Sequence, residues 1–353
     1  MTERDQDAID LESVRALEQT NGDQSEAARI LGIPRQTLRG RVHRAERVAN
    51  VTPDNDSDKD LDREVFAPFP DDDIEDDELL DHMERRFEQR LSRERAETWF
   101  PINEPSNEPT AYTWFGDPHL GNNGCDIKKL REHVKIINDC PGMKCANLGD
   151  TIDGWSGNLL RLYADNDISR QTERRLARWF LEGSQLPWRV WILGNHDVMD
   201  ATFAAYLSAI NASRIAMVDW RAKFRVCFPN GVEIRIDCSH DHKGSSIYWP
   251  LHGQKRTSLW EGRENADIYI AGHRHNWALA TEEVAKGKVI HMARARGYKA
   301  IDDFAKHRNY VQQEYGQSIV TVFDPVKSPD RRVQMFSDVE AGADYLTWLR
   351  SRS

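Results

Sequence analysis

The sequence predicts an α/β domain preceded by a small all-α unit, and three observations carry that expectation. From residue 111 onward, short apolar runs alternate with segments long enough for helices. The first 48 residues carry three helix-sized segments separated by turn residues. Between these regions, acidic residues crowd a stretch with few hydrophobic anchors.

The N-terminal unit is placed at residues 1–48. A first helix is expected from Asp10 to Gln19, with Leu11, Val14 and Leu17 on one side, and Asn21-Gly22 breaks it. Asp23 caps a second helix, with Glu26 three residues later as a capping box. Ala27, Ala28 and Leu31 face inward and Gly32 supplies the stop. Pro34 stands at the first turn of a third helix whose buried stripe is Leu38, Val42 and Ala45. That leaves Arg35, Gln36, Arg39 and His43 on another face, where a DNA-reading helix carries its contacts. The stretch NGDQSEAARILGIPRQTLRGRVHR resembles the helix-turn-helix of Fis and NtrC-type bacterial DNA-binding proteins, which implies DNA as a partner. Gly40 departs from a good recognition helix and costs up to about 1 kcal/mol relative to alanine. The plainer alternative is a three-helix unit that holds another protein.

Residues 49–110 are read as an acidic linker and a charged helix. TPDNDSDKDLD and PDDDIEDDELLD have the composition of a solvated tether, with mimicry of DNA as the sharper alternative. A helix charged on most faces is expected from about Glu75 to Glu97, and the three prolines of FPINEPSNEPTAY end it.

The α/β domain is placed at 111–325. Strands at Ala111–Phe115, Met143–Leu148, Val190–Leu193 and Ile268–Ala271 alternate with helices at 126–139, 169–183 and 199–210. KFRVCFPNGVEIRIDC, at 223–238, predicts a hairpin about Pro229-Asn230-Gly231. Further strands are expected near 277–281, 288–292 and 317–323. Residues 326–353 are read as a polar C-terminal tail with one short helix around Ala341–Leu349.

Composition narrows the function classes. Of the 353 residues 39% are hydrophobic and 30% charged, so a core must be concentrated in part of the chain. A formal net charge of -10 argues against a surface coated for non-specific nucleic-acid binding, while a local basic surface remains compatible. Five cysteines without a C-x-x-C pair argue against a disulfide framework or zinc ribbon and for a reducing cytosol. MTERDQDAID lacks a signal-peptide pattern and no apolar stretch reaches membrane length. The expected location is cytoplasmic, in a bacterial or phage-infected host cytosol, with no membrane partner. An oligomer is compatible with the helix-turn-helix, but no dimer seam is legible.

The chemistry gathers at strand ends. WFGDPHLG places Asp117 and His119 just after a strand, and NLGDTIDGW does the same for Asp150 and Asp153. ILGNHD presents Asn195 and His196, IDCSHDH presents His240 and His242, and YIAGHRH presents His273 and His275. Ligands of α/β sheets gather at the carboxyl ends of strands, so all five clusters can converge. Oxygen and imidazole donors without thiolate suit Mn, Fe, Zn or Ni. They are too many for one tetrahedral ion and suit two divalent ions roughly 3.5–4 Å apart. Any one of these residues alone reads as a surface turn or a buried hydrogen-bonding group; the ordered set argues for a metal site.

The ordered set D-x-H, G-D-x-x-D, G-N-H-D, H and G-H-x-H resembles the calcineurin-like metallophosphoesterase superfamily over about residues 111–325. The resemblance implies a double β-sheet sandwich flanked by helices and two divalent ions, Mn expected. It implies that Asp117, His119 and His275 hold one ion, that Asn195, His240 and His273 hold the other, and that Asp150 bridges them. It further implies a bridging hydroxide as nucleophile, His196 as general acid and Asp153 as the residue that orients His196. In the fourth motif Asp241 replaces the family's usual glycine, so His240 is the favoured ligand and His242 the fallback.

Gly154 stands where phosphoprotein phosphatases carry arginine, and G-N-H-D replaces their G-N-H-E. Both departures are shared by phosphodiesterases and double-strand-break repair nucleases of the superfamily. Together with the helix-turn-helix they make a DNA-directed phosphodiesterase or nuclease the leading expectation. RARGYK, at 294–299, resembles a Gly-(Ser)-Tyr-Lys stretch of phage-encoded members. Arg294, Arg296 and Lys299 are then expected on phosphate and Tyr298 on a base, the alternative being an ordinary strand. SIYWPLHGQKR, at 246–256, is expected as a rim loop offering Tyr248 and Trp249, and Trp155 is expected in the core. The alternatives are a nucleotide or phosphoprotein phosphatase, and a non-catalytic DNA-binding regulator or phage assembly factor.

Overall fold

A computed structural model describes residues 3–20, 23–49, 76–96, 99–156, 168–260, 266–285, 287–300 and 313–352. The chain divides into two compact units, Met1–Ala96 and Glu97–Ser353.

The first unit opens with α1 (Glu3–Gln19), α2 (Gln24–Leu31) and α3 (Arg35–Ala49), a three-helix helix-turn-helix. Asp23 caps α2 by accepting from the Ser25 and Glu26 amides at 2.9 and 3.2 Å, and Gly32 closes it at φ 66°. The expected capping box does not form, because Glu26 turns outward to pair with Arg29 at 2.6 Å. Ala16, Ala27, Ala28 and Leu38 make the core, with Leu17, Leu31, Ile33 and Val42 packed against it. Arg35, Gln36 and Arg39 are exposed, whereas the side chains of Leu11, His43 and Ala45 lie outside the described residues. The acidic tether, 50–75, also lies outside them. The charged helix expected behind it is α4 (Asp76–Ala96).

The second unit is a sandwich of two six-stranded sheets. In chain order its elements are β1 (Phe100–Asn103), β2 (Thr110–Phe115), α5 (Ile127–Asp139), β3 (Met143–Asn147) and α6 (Arg170–Arg178). There follow β4 (Trp188–Leu193), α7 (Asn195–Met199), α8 (Ala201–Ile210), β5 (Ala216–Asp219), β6 (Arg221–Cys227) and β7 (Glu233–Ser239). The unit closes with α9 (His252–Trp260), β8 (Ile268–Ala271), β9 (Ala278–Ala285), β10 (Lys288–Arg294), β11 (Ser318–Phe323), β12 (Val333–Phe336) and α10 (Val339–Arg350). One sheet runs β1-β6-β7-β8-β10-β9 and the other β12-β11-β2-β3-β4-β5. In the second sheet β2, β3, β4 and β5 are parallel, so their carboxyl ends share one edge; β7 and β8 are parallel in the first.

Alternation of side chains explains why β2 is buried along its whole length. Tyr112 and Trp114 enter the core between the sheets, with Ile192, Phe224, Ile236 and Ile270. Ala111 and Phe115 face the other way, into a core shared with Leu130, Val134 and Ile137 of α5. That stripe on α5 has helical spacing and begins at Asp126, whose carboxylate accepts from the Lys129 amide at 2.9 Å.

The unit extends beyond the expected 111–325 at both ends. β1 pairs with β6 and β12 with β11, while α10 buries Val339, Ala343, Leu346 and Leu349 against the outer core. The 326–353 segment is therefore an integral layer, not a tail. β1, β5 and β12, the strands absent from the expectation, are all edge strands of four residues. Edge strands need not be apolar on both faces, so their signal in sequence is weak.

Candidate metal centre

The five clusters after β2, β3, β4, β7 and β8 meet at one place. Asp117, His119 and His275 bring ligand atoms within 4.8 Å of one another, and so do Asp150, His240 and His273. The backbone is strained where this happens. Nine described non-glycine residues have positive φ, and Asp117 (43°), His119 (45°), Asp150 (53°), His273 (71°) and His275 (50°) are five of them. Left-handed backbone in non-glycine residues persists only where the surroundings over-determine it, and it concentrates at functional sites. Close approach requires glycine beside them: a Cβ on Gly149 would stand 2.6 Å from His240 Nδ1.

The first cluster is short of partners. Asp117 Oδ1, His119 Nε2 and His275 Nδ1 are each buried without a hydrogen-bond partner among the described residues. Three unsatisfied acceptor-capable atoms pointing into one space are costly unless a cation joins them. Burial pushes Asp117 up to about 8 and lowers His119 and His275, which leaves the imidazoles neutral, the form that binds metal.

The second cluster is built of acceptors facing one another. His240 donates from Nδ1 to the Leu148 carbonyl at 2.8 Å, so its Nε2 lone pair faces inward. Around Nε2 stand Asn195 Oδ1 at 2.9 Å, His273 Nδ1 at 3.0 Å and Asp150 Oδ2 at 3.2 Å. Without a cation such a set is held together only by a proton. Burial opposes that proton, yet Asp150 outweighs it and raises His240 to about 9. Asp150 Oδ2 also lies 3.9 Å from His119 Nε2, which places this carboxylate between the clusters. The donor set therefore fits two divalent cations sharing Asp150. His242 joins neither cluster: it is buried, both ring nitrogens lack partners, and burial lowers it to about 4.

His196 and Asp153 meet differently from the expectation. The Asp153 carboxylate holds His119, Oδ1 to Nδ1 at 2.8 Å, and accepts from Asn122 Nδ2 at 2.7 Å through Oδ2. His196 instead donates from Nδ1 to the Asp153 backbone carbonyl at 2.5 Å. The main chain, not the carboxylate, orients it, because the carboxylate is already committed to the neighbouring imidazole. The His196 amide donates to Asp150 Oδ1 at 2.9 Å, tying the α7 turn to the shared carboxylate.

The RARGYK expectations are largely overturned. Arg294 is fully buried, donating to Pro250 O at 3.0 Å and to Asp241 Oδ1 at 2.8 Å, with Gly272 O as a further acceptor. It braces the loops that carry His240 and His273. Arg296 is 4% exposed, and Tyr298 is fully buried. The Tyr298 hydroxyl joins His133 Nδ1 and Ser318 Oγ, each at 2.7 Å, and its ring stacks on Phe115, so it is a core residue with a satisfied hydroxyl. Lys299 is half-buried and its charge acts on Asp153 and His275, which keeps it beside the centre.

Several residues of the centre went unassigned in sequence. Asp197 is fully buried and accepts from the Thr151 and Gly194 amides at 2.8 and 3.0 Å, locking two of the motifs together. Its place inside G-N-H-D was the available signal. Asn122 had none. Trp155, expected in the core, is half-buried with its ring edge-on to His196 at 4.7 Å, and Trp220 stands edge-on to His240 at 5.1 Å. Tyr248 is 89% exposed, Trp249 is partly buried against the core of Leu251, Tyr269 and Met292, and the second half of the expected rim loop is the start of α9.

Residues 14–44 match the family model described as bacterial regulatory protein, Fis family. No characterised protein matches the chain in sequence. Among solved structures, NAD nucleotidase of Haemophilus influenzae is 10% identical at a TM-score of 0.38, covering 65% of this chain and 49% of its own, so the chain spans about half its length. The Plasmodium inner membrane complex anchor GAP50 is 10% identical at a TM-score of 0.34, over 68% of this chain and 94% of that one. A Thermotoga maritima protein solved by NMR is 11% identical at a TM-score of 0.30, over 65% and 99%. Among the described residues, no helix is long and apolar enough to cross a membrane.

Proposed function

We propose that the chain is a two-metal phosphoester hydrolase that cleaves DNA phosphodiesters. The observation that carries this reading is the pair of buried clusters sharing Asp150, one with three unpartnered donor atoms and the other with acceptors turned on each other. Asp117, His119 and His275 would hold one cation and Asn195, His240 and His273 the other, with Asp150 common to both. Bound there, two divalent cations, Mn being the favoured one, would supply Lewis acidity to activate water and offset phosphoryl charge.

The chain's own residues do the rest. Asp153 fixes the tautomer of His119, so that Nε2 carries the lone pair into the centre. His196 spends Nδ1 on a carbonyl, so Nε2 is the nitrogen that delivers a proton to the departing oxygen. Asp197 keeps the turn bearing Asn195 and His196 in register with the loop bearing Asp150. The Fis-type match, with Arg35 and Arg39 exposed on α3, supports DNA as the polymer that the centre acts on.

The test is Mn²⁺-dependent hydrolysis of bis(p-nitrophenyl) phosphate against p-nitrophenyl phosphate, with Asp150→Asn and His196→Ala as controls. Diester turnover lost in Asp150→Asn and only partly reduced in His196→Ala, since p-nitrophenolate leaves with little need of a proton, supports the reading. Preference for the monoester moves it to a phosphatase, and no turnover with Mn, Fe, Zn or Ni removes the enzyme. Full-length Arg35→Ala/Arg39→Ala should lose DNA turnover while keeping small-ester turnover.

A further inference from the structure

Helix α4 carries an apolar stripe that nothing among the described residues covers. Leu79, Leu80, Met83 and Phe87 are 38%, 64%, 50% and 64% exposed. At 100° per residue they fall within an arc of about 100°, the width of a face that packs on a partner. A charged helix of 21 residues with its apolar face in water is marginal by itself, since most helical stability in proteins comes from packing that face.

Charge identifies the partner. Residues 76–84 hold five carboxylates and neither lysine nor arginine, while residues 85–96 hold five arginines against two glutamates. We infer that two copies of this chain associate through α4, paired antiparallel with Leu79, Leu80, Met83 and Phe87 at the seam. Antiparallel pairing sets the acidic half of each helix against the basic half of the other, and a parallel pair would set like against like. It also opposes the two helix dipoles favourably, extending a polarity that already suits a single helix. The contact is two-fold symmetric, so each copy presents the same patch and the assembly closes as a dimer. Such a dimer brings two helix-turn-helix units to one duplex and predicts two half-sites of inverted sequence.

Sedimentation equilibrium of the full-length chain is the deciding measurement. Wild type should be dimeric at micromolar concentrations, and added salt should weaken the dimer. Leu80→Asp/Phe87→Asp should raise its dissociation constant by more than about 100-fold. Both positions are exposed, so circular dichroism should show the fold retained. Asp76→Lys/Glu84→Lys and Arg90→Glu/Arg93→Glu, which lie within about 90° of the seam's centre in the same projection, should each be monomeric alone and form a heterodimer when mixed. A monomeric wild type overturns the inference. So do charge variants that stay dimeric alone, or that fail to associate when mixed.

Discussion

Replacing Asp153 by asparagine separates the two roles open to that carboxylate. Asp153 accepts at both oxygens, from His119 at 2.8 Å and from Asn122 at 2.7 Å, in a fully buried position. Asparagine has one acceptor and one donor end, so either orientation breaks one of these bonds and turns a donor towards a donor. The charge that holds His119 in place is lost in both. Removing such a supporting partner typically weakens metal affinity 10–100-fold, about 1.4–2.7 kcal/mol. The loss should fall on one ion only, because Asp153 holds His119 while His240 is held by Leu148. Calorimetric titration of metal-free protein with Mn²⁺ should therefore show two sites in wild type and one of them selectively weakened in Asp153→Asn. If the carboxylate served chiefly to orient His196, both affinities would survive and only turnover would fall. Two unchanged sites, or two equally weakened ones, would refute the reasoning.

Three other expectations follow from the same geometry. His196→Ala should slow esters with poor leaving groups by about 10²–10⁴-fold and spare p-nitrophenyl esters more, measured as kcat across a leaving-group series. His133 is 3% exposed and lowered to about 4 by burial, with Lys129 adding to the effect, so folding should weaken as pH falls from about 6.5 to about 4. The sign follows because the unfolded imidazole binds a proton in that window and the folded one does not. Denaturant titrations with chelator present should show His133→Gln losing up to about 3 kcal/mol of that pH dependence relative to wild type. Leu38→Ala, at the fully buried centre of the three-helix unit, should cost that unit about 2–5 kcal/mol. Scanning calorimetry should place the loss in a transition separate from that of the α/β unit, and a shift of both together would count against independent units.

The local rules were readable along the chain. Strands β2, β3, β4 and β8 are apolar runs ended by Gly or a polar cluster, and the caps at Asp23 and Gly32 are set by residues two or three positions away. Such signals depend on spacing, and spacing is a property of sequence. So was the grouping of Asp117, His119, Asp150, Asn195, His240, His273 and His275, because parallel strands deliver their carboxyl ends to one edge, β2, β3 and β4 in one sheet and β7 and β8 in the other.

What folding decided were the competitions between distant groups. Asp153 had two imidazoles to choose from, His119 and His196, and only the three-dimensional positions gave its carboxylate to the first. Arg294 and Tyr298 read as substrate residues because a guanidinium and a phenol suit phosphate and base. Asp241, Gln254, His133 and Ser318 claimed their polar atoms inside the fold instead. Edge strand β1, which pairs with β6, and the packing of α10 on α5 arose the same way, from partners remote in the chain. A sequence states which atoms can bond and how its neighbours space them; which of several suitors a buried polar group accepts is settled by distance, since desolvation makes a buried unpaired group costly.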